Sequence, residues 1–304
     1  MYELLIALRS SKGLIGCIAL AAKLSEEPYS GEDRELLLTV AGHIGLALEN
    51  VALLEVAKRE AEQAKELDLA RQVQQNLFPA ELPSVAGWEL AGICRLARQV
   101  GGDYFDLFKV SGDRFAIALG DVAGKGLGPA MVMSSVHTMI RSHLRRPGVG
   151  LPELMANLNE HLHASTAPDM FITLFLGLLA PDSGLFRFVN GGHNPGIVLR
   201  SHGTAERLQQ GGLVVGIVPS TEFEQGEIII HAGDAIVLFS DGVTEATNTA
   251  GEMFEEKRLT ESLRSYALLD AASIVERIVS DVDGFAGDQE QADDISLVVI
   301  RRCL

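Results

Sequence analysis

Cysteine is scarce in this chain of 304 residues: Cys17, Cys94 and Cys303 stand far apart, with no CxxC spacing. That excludes a disulfide-stapled fold and a cysteine-rich zinc site, and it fits a reducing compartment. The three thiols are expected to be buried and inert. Positive charge is short as well. Lys and Arg number 25 against 41 Asp and Glu, a formal charge of −16, whereas affinity for nucleic acid rests on cations that neutralise phosphates. No nucleic-acid partner is expected, and the lack of a basic groove weakens a nuclease or phosphodiesterase reading. Targeting signals are missing too, since the apolar stretch Leu4 to Leu8 is cut at once by Arg9. No stretch is taken to approach the roughly 18 apolar residues of a membrane span, so the expectation is a cytoplasmic protein with no membrane partner. No internal repeat is visible, which disfavours a solenoid.

With 47% hydrophobic and 22% charged residues, the remaining composition is that of an ordinary globular protein. Leu14 to Leu24 reads as a buried strand, and a polar loop follows. Ser30 is placed to cap a helix, with Asp33 three residues on as an acidic variant of the capping box. Val40, Ile44, Ala47, Val51 and Leu54 then recur at alternating spacings of four and three, and Leu67, Ala70, Gln74 and Leu77 resume the rhythm. The stretch from Asp33 to Phe78 has no proline, so one helix or two in series is expected, pairing with a second copy as a coiled coil. Lys58, Ala61 and Lys65 weaken the middle of that seam. Pro79 and Pro83 are expected to close the helix.

Beyond them lie short apolar runs between glycine-rich turns. Strands are expected near 89–96, 103–110, 114–119, 171–179, 185–190, 196–200, 227–230, 235–239 and 295–301, and helices over 128–144, 152–164, 256–266 and 271–282. Strands joined by short turns predict two mainly antiparallel sheets packed together with helices outside.

Aspartates mark the ends of these strands. Asp103 opens one, Asp121 and Asp241 each follow one, and Asp293 and Asp294 directly precede the last. Turn chemistry alone could account for any single one of them. Collected at one edge, however, several carboxylates repel unless a cation lies between them, and all-oxygen ligation suits Mg²⁺ or Mn²⁺. Asp121 is the candidate bridge between two ions, because Gly120, Gly124, Gly126 and Gly128 keep its surroundings open and the carbonyl of Val122 can add a ligand. GDVAGKG is not a phosphate-cradling P-loop, since Gly126 follows Lys125 where that motif needs Ser or Thr.

The ordered series VQQNLFP, VGGDYFD, GDVAGKGLGPA, FITLFLGLL, NGGHNPGIVLR, FSDGVTEA and DDISLVV resembles the stage-II-sporulation-E and sigma-regulator class of PPM, or PP2C-type, serine/threonine phosphatases. The resemblance runs from residue 70 to 301. It implies an αββα sandwich and a metal-activated water attacking phosphoserine or phosphothreonine on a small protein, such as an anti-sigma-factor antagonist. It carries metal ligation, and with it catalysis, onto Asp103, Asp121, Asp241 and Asp293, with the Val122 carbonyl and Asp294 as further ligands of two Mn²⁺ or Mg²⁺ ions. The segment IGCIALAAKLSEEPYSGEDRELLLTVAGHIGLALENVALL resembles the last strand and final helix of a GAF sensor domain. The organisation implied is a partial GAF-like segment over 1–50, a linker helix over 51–79 with pairing into a homodimer, and the phosphatase domain over 80–304. NGGHNP and GGLVVG stand where many relatives have NAGHNP and GGxPLG. The arginine that contacts phosphate in eukaryotic relatives has no assignable counterpart. The alternative function is a catalytically silent dimeric binding module with the same fold.

Other polar residues carry weaker signals. His193 and Asn194 lie in a glycine-rich turn and either face the cleft or satisfy their own backbone. His161 and His163 are two apart on a helix and point to different faces. Met131, Met133 and Met139 are expected to fill core, and Asp106 to turn away from Asp103. Gln74 and Gln75 sit where motion of the long helix could reach the catalytic domain, so that its rotation or pairing would switch the metal site.

Overall fold

Alternation along single strands decides the architecture. On the strand Arg114–Val122, Ile117 and Leu119 pack into one apolar layer while Ala116, Ala118 and Val122 pack into another. A strand buried on both faces needs a sheet on one side and helices on the other. The computed structural model describes residues 2–304 apart from Lys12, Ser111 and Pro147, and it divides into two compact units, Met1–Glu66 and Leu67–Leu304.

In the first unit, β1 (Leu4–Ser10) and β2 (Gly13–Leu20) form an antiparallel hairpin, followed by α1 (Gly31–Gln75), which continues into the second unit. The expected strand is present, yet it is not buried: β2 alternates between exposed and half-buried positions. Its partner β1 went unpredicted, because Leu4 to Leu8 is short and interrupted by Arg9. The capping box forms in both directions, with the Asp33 amide donating to Ser30 Oγ at 3.2 Å and the Ser30 amide donating to Asp33 Oδ2 at 2.7 Å. Lys23 also pairs with Asp33 and, as the largest cause, holds its carboxyl down at about 2. Gly45 is required where α1 meets the hairpin, since a Cβ there would lie 2.2 Å from the Arg9 carbonyl oxygen.

The helix is single and 45 residues long. It ends at Gln75, ahead of both prolines, through amide bonds from Asn76 to Val73 O and from Leu77 to Gln74 O. The proposed seam residues Val40, Ile44, Val51 and Leu54 are exposed. One 18-residue window of α1, with mean hydropathy 1.6, is apolar enough to cross a membrane by length and composition. This corrects the expectation that no such stretch exists: Leu36 to Ala57 is interrupted by few charges, and heptad spacing concealed its overall hydropathy.

In the second unit, β3 (Trp88–Arg95), β4 (Asp103–Val110), β5 (Arg114–Val122), α2 (Leu127–Leu144), α3 (Leu151–Ser165), β6 (Ile172–Ala180), β7 (Leu185–Gly191), β8 (Gly196–Leu199), β9 (Ala205–Leu208), β10 (Gly211–Gly212), β11 (Gly226–Ile229), β12 (Ala235–Phe239), α4 (Asp241–Thr244), α5 (Glu255–Ser265), α6 (Ala271–Ala286) and β13 (Ile295–Arg302) follow in order. One sheet runs β10-β7-β6-β5-β4 with β11 also on β7, and the other runs β3-β13-β12-β8-β9. All pairings are antiparallel except the two-residue β10 against β7. Between the sheets, Phe175, Phe186 and Phe188 stack at centroid distances of 5.6 to 6.4 Å among Ile117, Ile236 and Val298. Helices α2 and α3 cover the first sheet, and α5 and α6 cover the second. The result is the expected αββα sandwich, and every strand and helix predicted beyond residue 88 is present.

Two side-chain expectations are corrected. Cys17 is exposed, and Cys94 and Cys303 are half-buried, because the first lies on the open hairpin and the others toward the ends of sheet strands. Met131 is exposed while Met133 is fully buried, since only the latter lies on the inward stripe of α2. His161 and His163 do diverge, toward Ser135 and the Gly216 carbonyl respectively.

Asp106 is fully buried and turned toward α2. Arg141 grips it with two bonds of 2.6 and 2.8 Å, and the Tyr104 hydroxyl donates to it at 3.1 Å. Removing the cation strands a buried carboxylate. Arg141→Met should lower unfolding free energy in urea by about 3 kcal/mol, and adding Asp106→Leu should restore much of the loss.

Candidate active site

Asp103 and Asp121 are direct partners across the β4/β5 ladder. Both share strand parity with residues of the layer between the sheets, Phe105 and Leu107 on β4 and Ile117 and Leu119 on β5, so their side chains enter the end of the sandwich. Asp241 opens α4 immediately after β12, and Asp293 and Asp294 precede β13. The two sheets thus bring five carboxylates, far apart in sequence, to one end of the molecule.

Their mutual field is visible in their acidities. Burial, then the Asp121 charge, push Asp103 well above the usual carboxylate range. Asp121 is raised to about 7 by burial and by Asp241, Asp293 and Asp294, with Lys125 opposing. Asp241 is raised by burial, Glu245 and Asp293, and Asp294 by burial above all. Asp103 Oδ2 is buried without a hydrogen-bond partner, and such an orphan is costly.

Among the described residues, no three His, Cys, Asp or Glu side chains are gathered tightly enough to hold an ion as they stand. The donor set nevertheless fits a hard divalent cation: every group is an oxygen, one is buried and orphaned, and the carboxylates hinder each other's ionisation. The Val122 carbonyl faces the same space. A Cβ on Gly102 would lie 2.5 Å from that carbonyl oxygen and 2.6 Å from Asp121 Oδ1.

A polar scaffold holds these groups, and most of it was not legible in the sequence. Asp294 Oδ1 accepts from the Ala97 amide at 2.8 Å. Buried Ser240 donates to the Asp294 carbonyl at 3.1 Å and accepts from the Ser296 amide at 2.9 Å. Gln74, singled out from the sequence, is buried: its Nε2 donates to the Gly101 carbonyl at 2.7 Å and its Oε1 accepts from the Gly101 amide at 3.2 Å. The last turn of α1 is thereby bonded two residues from Asp103. Gln75 is exposed.

His193 and Asn194 prove to be turn residues. Asn190 clamps His193 through its backbone at 2.7 and 2.9 Å, and His193 Nδ1 lies 2.8 Å from Thr173 Oγ1, where Thr173 is the β6 partner of Asp121. Asn194 reaches Thr244 at 3.4 Å. Both residues support the site without entering the carboxylate cluster.

Known proteins share the sequence pattern and the fold. Residues 111–303 match the family described as stage II sporulation protein E (SpoIIE). The chain belongs to the SpoIIE family. It is 30% identical over 269 residues to the phosphoserine phosphatase RsbU of Bacillus subtilis, covering 88% of this chain and 78% of that protein. It is 30% identical over 265 residues to protein IcfG of Synechocystis, covering 78% of this chain but only 41% of that protein. Among solved structures, the SiaA-PP2C domain of Pseudomonas aeruginosa superposes with a TM-score of 0.71 at 17% identity, covering 81% of this chain and 99% of that one. The PP2C fold of this SpoIIE-family chain is therefore established twice, by sequence and by shape.

Two outcomes follow from the site. Gly102→Ala should destabilise the chain by about 1 to 3 kcal/mol in denaturant titration, because the added methyl meets a backbone carbonyl. His193, ordinarily near 6.5, is held down to about 4 by burial. The folded chain keeps it neutral while the unfolded chain takes up a proton. The stability at stake is complete above about pH 6.5 and drains as pH falls toward 4, by about 3 kcal/mol in all. His193→Gln should flatten that part of the pH–stability curve.

Proposed function

We propose that this chain is a metal-dependent protein phosphatase that hydrolyses phosphoserine or phosphothreonine on a small regulatory protein of the anti-sigma-factor antagonist kind, in the cytoplasm. The observation that carries the reading is the pairing of Asp103 with Asp121 across β4 and β5, with Asp103 Oδ2 buried and unpartnered. Family membership supports it, as does the phosphoserine phosphatase activity of the relative RsbU.

Asp103, Asp121, Asp241 and Asp293, with the Val122 carbonyl and Asp294, are the groups that would hold two Mn²⁺ or Mg²⁺ ions. A structure of the relative RsbX is described as a complex with magnesium. Such ions, when bound, supply an activated water and neutralise charge on the phosphoryl oxygens. The chain itself supplies placement. The β4/β5 register fixes Asp103 opposite Asp121, the Ser240 and Ser296 bonds fix the backbone of Asp294, and burial denies Asp103 competing water. Strong mutual repulsion makes these side chains poor neighbours without a cation and firm ligands with one.

Self-association through α1 belongs to the same proposal. Its exposed Val40, Ile44, Val51 and Leu54 recur on a heptad-like seam, and a paired helix would cover them. The bonds from Gln74 to Gly101 give rotation or pairing of that helix a route to the aspartates.

Alkali-stable phosphate release from a phosphoserine protein in Mn²⁺ is the test. Wild type should turn over and Asp121→Ala should lose at least about a hundredfold in rate; equal rates in both would remove the metal mechanism, and silence in both would favour a binding module. In sedimentation equilibrium the wild type should be a dimer, and Val51→Glu with Leu54→Glu a monomer.

A further inference from the structure

The mouth of the carboxylate cluster holds a cation of the chain's own. Lys125 lies on the loop between β5 and α2, and its Nζ is 2.9 Å from Asp293 Oδ2 and donates to the Ala292 carbonyl at 2.8 Å. Both partners of the ion pair are about half exposed, at 41% and 48%. An ion pair so open to water is worth only about 0 to 1 kcal/mol, so the ammonium can change partner at little cost. A lysine ammonium has three donors, and two are used here.

The structural task of Lys125 is confined to tying its loop to the segment before β13. It anchors no core residue, and the loop that carries it is shaped by Gly124 and Gly126, both at positive φ. An anionic substrate, in contrast, faces a difficulty at this site: five carboxylates surround the place where a phosphoryl group must sit. Asp103 and Asp294 are buried, and among the described residues no arginine is bonded to the five aspartates. Arg95 is committed to Asp283 by bonds of 2.8 and 2.6 Å. Arg98 lines the same small cleft as Lys125, Asp293 and Asp294, but among the described residues it makes no bond to any of the five aspartates.

We propose that Lys125 is the phosphate-binding cation of this site, a catalytic residue whose ammonium leaves Asp293 and pairs with the phosphoryl oxygens when substrate enters. It thereby takes the task for which the sequence offers no arginine. A point charge on a four-carbon stem can follow the phosphate without the fixed fork that arginine would need. Asp293, released from the ion pair, becomes free to ligate. The inference rests on the phosphatase reading for the identity of the anion, and it stands or falls separately in the following experiment.

Inorganic phosphate is titrated calorimetrically into the full-length chain in Mg²⁺, for wild type, Lys125→Gln, Lys125→Arg and Arg98→Gln, and p-nitrophenyl phosphate turnover is measured in parallel. Lys125→Gln should weaken phosphate binding about tenfold, the effect of losing one charge-assisted hydrogen bond. Lys125→Arg should keep most of the affinity, and Arg98→Gln should stay within about twofold of wild type. Mg²⁺ affinity, read in the same instrument, should not fall in Lys125→Gln, because the ion no longer competes with the ammonium for Asp293. Unchanged phosphate affinity in Lys125→Gln, or an equal loss in Arg98→Gln, overturns the assignment. Turnover with unchanged phosphate affinity in Lys125→Gln would sink only the role of Lys125. Absent turnover with a Lys125-dependent phosphate affinity would sink the phosphatase reading and leave Lys125 as the anion-binding residue.

Discussion

Repulsion among carboxylates is the constraint around which this molecule is built. Asp103 and Asp121 face each other across a two-strand ladder, with Asp241, Asp293 and Asp294 near enough to make the carboxyls of the cluster harder to ionise. Left to themselves such side chains would part, and the local bonds to Asp293 and Asp294 act on only part of the cluster. What holds them is the core. Ile117 and Leu119 lock β5 between the sheets, Ala116 and Ala118 lock its other face under α2 and α3, and the stacked Phe175, Phe186 and Phe188 fill the middle. Burial of this apolar surface stabilises the fold by far more than the acidic end destabilises it. The unfavourable site is stored strain of an electrostatic kind, relieved when a cation arrives.

The scaffold around the aspartates is polar where the rest of the interior is apolar. Ser240 and Ser296 exchange bonds beneath Asp294, Asn190 closes the turn that carries His193, and Gln74 clamps the backbone of Gly101. The side chains of Ser240, Asn190 and Gln74 are buried and bond to backbone. The same scaffold includes Gln74, which belongs to the last turn of α1.

Much of this was legible in the sequence for physical reasons. Strand ends marked by Asp beside Gly are visible because a strand needs an apolar run and a turn needs small residues, so Asp103, Asp121, Asp241 and Asp293 could be found without coordinates. The opposite facing of Asp106 follows from parity along β4, and the capping box from the Ser30 and Asp33 spacing. Other features depend on partners far away in sequence. A serine such as Ser240 looks like any serine until β13 lies beside it, and the ion pair of Lys125 with Asp293 joins residues brought together only by the two-sheet packing. The hairpin strand β1 escaped notice because a strand with one wet face and an arginine within it carries little periodic signal. The burial of β2 was overestimated for the complementary reason: an apolar run says nothing of whether a second layer covers it. The hydropathy of α1 was read only for its spacing, so its total was missed.

The central claim is that the ends of two sheets hold a carboxylate cluster built for cations. Calorimetric titration of Mn²⁺ into the metal-free chain tests it most directly. Binding of about two ions per chain, abolished in the Asp103→Asn/Asp121→Asn variant, is the predicted result. Absence of binding in the wild type, or equal binding in that variant, would contradict it.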